Sequence, residues 1–261
     1  PPADEDCTTT DVLAHGETRT VTFGEHQDDH QLGCFQAATD AAYVLEIDAP
    51  SDVLLVQRIS ATDTGAIALS LPGCTSEDLV TCGFGGRSPN RARKRNLSPG
   101  DYRVVAESTF ALPQQVTAFV RPHTPASLVF FADGCADAVT IPPTGGFFQG
   151  NTSNVTANFS AGCDSAGGPP NGAKDQLLKL TLPAEKRVVF DMSGSGYATL
   201  LDVRKGPSCP GTEVPLGCTA TIGGHQAFLD LVLEAGTYFV QIDGLSGAAG
   251  PWFLDVHVVD P

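Results

Sequence analysis

The amino-acid sequence predicts an all-β protein: two tandem antiparallel β-sandwiches, jelly-roll-like and stapled by disulfides. Three observations carry this. Its 261 residues include 28 Gly and 19 Pro and no long Ala/Glu/Lys/Leu stretch, a composition of turns and short strands. Eight cysteines fall at 7, 34, 74 and 82 and again at 135, 163, 209 and 218, separated by 27, 40 and 8 residues and then by 28, 46 and 9. One turn-and-strand unit occurs twice, as Leu97-Ser-Pro-Gly-Asp-Tyr102 and as Leu233-Glu-Ala-Gly-Thr-Tyr238.

The elements recur in one order after a shift of about 135 residues. Tyr43–Ile47 corresponds to Leu178–Leu182, and Val53–Val56 to Val188–Asp191. Ile67–Leu71, running into Cys74, corresponds to Leu200–Val203, running into Cys209. In the repeated unit Pro99-Gly100 fits the centre of a type II turn, because Pro pre-sets the first φ and Gly accepts the positive second one. Tyr102, Val104 and Ala106, like Tyr238, Val240 and Ile242, then alternate with more exposed neighbours, the period of a half-buried strand. The Leu-x-x-Gly-x-Tyr step resembles the tyrosine corner of β-sandwiches, whose hydroxyl ties back to upstream backbone, at Tyr102 and Tyr238. Val116–Val120 and Trp252–Val259 close the copies. The domains are therefore 1–122 and 132–261, each of normal length. Residues 123–131 form a linker or leading strand, its start stiffened by Pro122 and Pro125 and its end the apolar run Leu128-Val-Phe-Phe131.

Thirty acidic against fifteen basic residues give a formal charge of −15. Such a surface repels phosphate backbones and anionic bilayers, which argues against nucleic-acid partners, and suits solubility or cation binding. No apolar run approaches the roughly 18 residues needed to span a bilayer, so membrane insertion is not expected. Pro1-Pro2-Ala3-Asp4-Glu5-Asp6 reads as the polar start of a mature chain after removal of a signal peptide. With no Cys-x-x-Cys and no His placed to complete a zinc site, the cysteines read as disulfides of an oxidising compartment. Three pairings are open within each quartet. The favoured one, Cys7–Cys34, Cys74–Cys82, Cys135–Cys163 and Cys209–Cys218, brackets one hairpin or loop per bridge. It would contribute ~3.5 kcal/mol for each longer loop and ~2.5 for each shorter one.

Copy two contains Cys135-Ala-Asp-Ala-Val-Thr-Ile141, Phe159-Ser-Ala-Gly-Cys163, the Ser-Gly-rich loop at 193–196, the Cys209/Cys218 pair and Leu233–Tyr238. On these motifs copy two resembles, nearly end to end, the pre-peptidase C-terminal domains in the secreted, cysteine-bearing form common in myxobacteria, and copy one does so more loosely. The resemblance implies a jelly-roll-like sandwich, secretion and a non-catalytic role, in a family that accompanies hydrolases or sits in surface proteins and includes calcium and collagen binders. The chain departs from the family's acidic loops, with Thr62–Gly65 and Ser195–Ala198 before the third cysteine, and Gly83–Gly86 and Thr219–Ile222 after the fourth.

No catalytic signature is found: Gly-x-Ser-x-Gly is absent, and Ser193-Gly-Ser-Gly196 reads as an inter-strand loop. Glu25, His26, Asp28, Asp29 and His30 form the densest set of potential ligands, bracketed by Gly24 and Gly33 as a hairpin loop. A Cys7–Cys34 bridge would bring Asp4, Glu5 and Asp6 to it. Asp4, Asp6, Glu25, Asp28 and Asp29 are thus the candidate calcium ligands, and no other cofactor is expected. Arg87, Arg91, Arg93, Lys94 and Arg95 hold five of the fifteen basic residues and are the candidate interaction surface for an acidic partner or a second copy. Counted back from the turn, Arg93 and Arg95 align with Leu229 and Leu231, so the strand of copy one must be rotated, frayed or covered differently. Asn96, Asn151, Asn154 and Asn158 open Asn-x-Ser/Thr sequons, read as polar turn and strand residues. Trp252 reads as core rather than as a sugar platform. The expected function is a secreted, non-enzymatic binding or adhesion module for a protein or carbohydrate surface. The alternatives are a self-associating subunit of a surface layer or filament, and an accessory domain of a secreted hydrolase.

Overall fold

The computed structural model describes residues 2–31, 33–35, 39–86, 89–164 and 172–261. The chain divides into two compact units, Pro1–Thr124 and Pro125–Pro261. It is all-β, and among the described residues the helical segments are short 3-10 turns.

Copy one contains β1 (Thr18–Val21), β2 (Thr39–Ile47), β3 (Ser51–Arg58), β4 (Gly65–Ser70), β5 (Leu79–Gly85), β6 (Asn90–Leu97), β7 (Gly100–Ser108) and β8 (Gln114–Pro122). They form two antiparallel sheets, ordered β1-β8-β3-β6 and β2-β7-β4-β5. Copy two contains β9 (Ser127–Val129), β10 (Val139–Ile141), β11 (Gly145–Asn151), β12 (Gln176–Leu182), β13 (Lys186–Asp191), β14 (Thr199–Lys205), β15 (Thr212–Ala220), β16 (Phe228–Leu233), β17 (Gly236–Gly244) and β18 (Pro251–Val259). Its sheets, β16-β13-β18-β11-β9 and β10-β12-β17-β14-β15, repeat that order and add β9 and β10 as parallel edge strands. The apolar run at 128–131 therefore starts as an edge strand beside β11.

Alternation selects the core. Copy one buries Tyr43, Leu45 and Ile47 of β2, Val53 and Leu55 of β3, Ile67 and Leu69 of β4, and Tyr102, Val104 and Ala106 of β7. Copy two buries their counterparts Leu178, Leu180, Leu182, Val188, Phe190, Leu201, Val203, Tyr238, Val240 and Ile242. Each fully buried side chain of this size contributes about 1.5–3 kcal/mol.

Three expectations are corrected. Gly100 has φ 149° and Gly236 φ 155°, far from the roughly 80° of a type II turn. Each opens its strand in a region that disfavours a β-carbon, with Gly100 paired to Ile47 and Gly236 to Leu182.

The disulfides are Cys7–Cys74, Cys34–Cys82, Cys135–Cys209 and Cys163–Cys218, not the local pairs. Among the described residues the segment before β1 forms no hairpin with the segment before β2. It runs along β2 instead, where Ala42 N–H donates to the Asp4 carbonyl and Val44 N–H to that of Asp11. Its Cys7 meets Cys74 and Ala68 outside that sheet, in a small cluster of its own. Copy two does the same with β10 along β12. Both bridges of each copy therefore tie the leading segments to the β4–β5 or β14–β15 hairpin.

The arginine strand is neither frayed nor a buried-charge problem. Ser51 pairs with Leu97 but Val53 with Lys94, a register shift at which Asn96 takes φ 51°. The extra residue moves Arg93 into the place of Asp230, opposite Leu54 as Asp230 is opposite Val189. Ala92 takes the place of Leu229 and is buried, whereas Arg91, Arg93 and Arg95 are half-buried and Lys94 is exposed.

Candidate binding site

The proposed calcium ligands do not converge. Asp4 accepts from the Tyr43 hydroxyl at 2.7 Å and faces His26 Nε2 at 3.1 Å. Asp6 accepts from the Thr8 backbone and hydroxyl, which hold its carboxyl below the usual carboxylate range. Glu25, Asp28 and Asp29 are exposed. Asp4 and Glu25 do line one polar hollow of about 440 Å³ with Thr20, Thr22 and His26. Among the described residues, the one group of three ligand-bearing side chains within reach of each other is Asp202, Glu213 and Cys218. Its sulfur is committed to the bridge with Cys163 and offers no thiolate.

Arg87 lies outside the described residues. Arg91, Arg93 and Arg95 all have partners in the protein. Arg95 Nε lies 3.5 Å from Asp52, which also meets Arg121 at 2.8 Å and His123 at 2.7 Å. Tyr102 and Tyr238 donate to the carbonyls of Ser98 and Glu234, each at 2.9 Å. Trp252 is fully buried and donates to Gln176 Oε1 at 2.7 Å. Asn158 donates its amide to Asp133 and to Thr156.

A cleft of about 410 Å³ opens on the β9 side of copy two. Strand register brings its walls together: Gln149 of β11 lies between Phe253 of β18 and Leu128 of β9, and Asn151 is opposite Pro251. Phe130, just beyond β9, and Asn154 complete the rim, and Trp252 contributes to the lining. Phe253 is braced by Phe147, with ring centroids 5.8 Å apart and planes at 24°. Asn151 Oδ1 accepts from Ser153 N–H, which fixes that carboxamide and leaves its NH₂ for another partner. None of the described lining residues is charged. Leu128, Phe130 and Phe131 are 54%, 73% and 77% exposed. The sequence run at 128–131 flagged part of this surface; Gln149 and Phe253 reach it through strand register, and Asn154 through the 3-10 turn that follows β11.

A second arrangement, missed in the sequence, occurs in both copies. Asp40 is fully buried, and one of its oxygens accepts from two consecutive backbone N–H groups, Asp29 at 2.8 Å and His30 at 2.7 Å. Asp175 does the same for Asn158 at 2.8 Å and Phe159 at 2.9 Å. Asp40 pairs across the strands with buried Glu107, and Asp175 raises the pKa of buried Asp243. Burial first, and then the neighbouring acids, push Asp40 up to about 7 and Glu107 to about 8. Burial likewise takes Asp175 to about 6 and Asp243 to about 7. The signal was present in the repeat: each aspartate stands three residues before the first aligned strand position, Tyr43 or Leu178.

No family model matches the chain, and no curated protein matches it. Among solved structures, the pre-peptidase C-terminal domain of a collagenase from Bacillus anthracis is 9% identical, covering 52% of this chain and 97% of its own, with a TM-score of 0.27. The CUB1-EGF-CUB2 region of human MASP-1/3 is 8% identical over 93% of this chain and 99% of its own, with a TM-score of 0.25. The tandem CBM22 domains of Xyn10C from Paenibacillus barcinonensis are 9% identical over 94% and 91%, with a TM-score of 0.24. At this level of superposition the likeness carries no inference about partner or activity.

Proposed function

We propose that the protein is an extracellular, non-catalytic module that attaches to a macromolecular surface through copy two. The observation that carries this is the exposed apolar rim of Leu128, Phe130 and Phe131 beside the cleft. Contiguous exposed apolar surface of this kind marks interaction sites on folded domains. The cleft offers phenyl rings and carboxamides, groups that bind and orient but neither titrate near neutrality nor act as nucleophiles. Four disulfides fit an oxidising compartment, and the family resemblance of copy two points the same way. The test is retention of the full chain on insoluble polysaccharide and on extracellular-matrix protein, with Phe130→Ala/Phe131→Ala as the variant. Both positions are largely exposed, so the variant should fold. At least tenfold weaker retention is expected. Equal retention of the variant, or hydrolysis of the matrix by the wild-type chain, overturns the reading.

A further inference from the structure

Resting on that reading, we infer that the copy-two cleft takes an uncharged oligosaccharide. The ligand class follows from the groups that line the cleft. A protein of charge −15 has kept this hollow free of charged side chains among its described lining residues. An ionic ligand would find no charged side chain to pair with among the described lining residues, and an anionic one would also meet the repulsion of the whole molecule.

What the cleft does hold is two kinds of group side by side. The first is apolar and flat: Phe253, fixed by its stack on Phe147, with Leu128, Pro251 and Phe130 around it. The second is a set of carboxamides, Gln149, Asn151 and Asn154. Each carboxamide supplies two N–H donors and an acceptor oxygen. Asn151 spends its oxygen on Ser153 N–H and keeps both donors; the side chains of Gln149 and Asn154 make no hydrogen bond among the described residues. A sugar ring matches this alternation because it carries an apolar C–H face and, at its edge, hydroxyls that both donate and accept. A peptide strand fits less well, since its backbone groups are regularly spaced donors and acceptors that a sheet edge would satisfy, whereas these carboxamides are side chains of β11 (Gln149 and Asn151) and of the 3-10 turn that follows it (Asn154). The volume of about 410 Å³ lies within the roughly 300–1,000 Å³ range of small-molecule sites.

The experiment is an NMR titration of the isotope-labelled, unglycosylated full chain, following the side-chain NH₂ signals of Gln149, Asn151 and Asn154. The probes are neutral hexasaccharides of glucose, xylose, mannose and galactose, a uronate hexasaccharide and a proline-rich peptide. We expect saturable shifts of those signals with at least one neutral hexasaccharide, and at least tenfold weaker binding for Phe253→Ala and for Asn154→Ala. Asn154 is exposed, so its variant keeps the test independent of folding. Absence of saturable shifts with every neutral probe overturns the inference, as does preference for the uronate. Shifts with the proline-rich peptide alone overturn the sugar assignment while leaving attachment through copy two in place. Loss of surface retention in Phe130→Ala/Phe131→Ala without any sugar shift does the same. Retention that ignores all these substitutions removes both.

Discussion

At corresponding places in the two cores, copy two has Met192, Ala227 and Trp252 where copy one has Gln57, Asn90 and Gln114. Register fixes the equivalence. Val53 pairs with Val120 and Val188 with Val258, and Gln114 and Trp252 each lie six residues before those partners. In copy one the carboxamides bond one another. Gln57 Nε2 donates to Gln114 Oε1 at 2.5 Å and to the Glu107 carbonyl at 3.0 Å, and its Oε1 accepts from Asn90 at 2.9 Å. Gln114 passes the chain on to Asp63 at 2.9 Å, which also accepts from Ser108 at 2.7 Å. All of these residues are buried. Copy two fills the same space with an indole whose one polar atom reaches Gln176. One fold thus accepts an apolar filling or a polar one whose amides bond one another, with Asn90 Oδ1 the atom of that network left without a hydrogen bond among the described residues.

The sharpest way to break that comparison is to truncate the apolar filling. Trp252→Ala should cost about 3–5 kcal/mol, the transfer and cavity cost of a buried aromatic. In chemical denaturation of the full chain, copy two should then unfold in a separate, earlier transition. Installing the copy-two residue in copy one, Gln57→Met, should also destabilise, although it makes the core more apolar. It strands Gln114 Oε1, and it takes one partner from the Asn90 amide, which keeps the Gly65 carbonyl, and one from the Glu107 carbonyl, which keeps Gln114 Nε2 at 3.5 Å; a buried unpaired group costs about 1–3 kcal/mol. A neutral or stabilising Gln57→Met would show that the amide network is dispensable.

The repeated acid pairs sharpen the comparison through pH. Unfolded carboxylates titrate near about 4, whereas Glu107 and Asp40 sit at about 8 and about 7 in the fold. Between these values the native state binds more protons than the unfolded state, so stability is greatest on the acid side and falls as pH rises. For copy one the fall extends to about pH 8. For copy two it ends near pH 7, since Asp243 and Asp175 sit at about 7 and about 6. Glu107→Gln should raise the unfolding midpoint of copy one at pH 8, by an amount of the order of 2 kcal/mol, and leave it nearly unchanged at pH 4. Asp243→Asn should do the same for copy two, with the gain complete about one unit lower. A midpoint that rises with pH in the wild-type chain would contradict both assignments.

Much of this was legible because the chain repeats itself. Tyr43/Leu178 and Val53/Val188 identified the paired strands, since alternation and turn residues are local signals. What escaped depends on contacts distant in sequence. Cys7 and Cys74 are 67 residues apart, and no local spacing selects that bridge from the three open pairings. The placement of Arg93 failed by one position because counting back from Pro99-Gly100 assumes an unbroken register, and Asn96 breaks it. The inserted residue brings with it a reversal of charge: copy two sets Arg187 on the central strand against Asp230 on the edge, at 2.7 and 2.8 Å. In copy one Asp52 stands at the central position and arginines at the edge. The cleft was half legible, because the apolar run of β9 stands out in the sequence, whereas Gln149–Asn151 of β11 and Pro251–Phe253 of β18 join it only through pairing across the sheet.

The tyrosines give the finest comparison, since the two copies present the same bond in the same place. Tyr102→Phe and Tyr238→Phe each remove a hydroxyl that donates at 2.9 Å to a carbonyl four residues upstream. The acceptors belong to Ser98 and Glu234, both exposed, so water can take the place of the lost hydroxyl. The cost should therefore stay near about 1 kcal/mol, the net value of one hydrogen bond, and below that of Gln57→Met, whose stranded Gln114 oxygen has no water to turn to. The surroundings differ: Lys205 lies 5.8 Å above the Tyr238 ring and pairs with Glu234 at 2.6 Å. Phe keeps the ring face, and with it the cation contact. Equal losses in the two copies, measured by denaturant midpoints, would show that the corner acts through its hydrogen bond alone. A clearly larger loss at Tyr238 would show that the hydroxyl also helps to hold Lys205 in place.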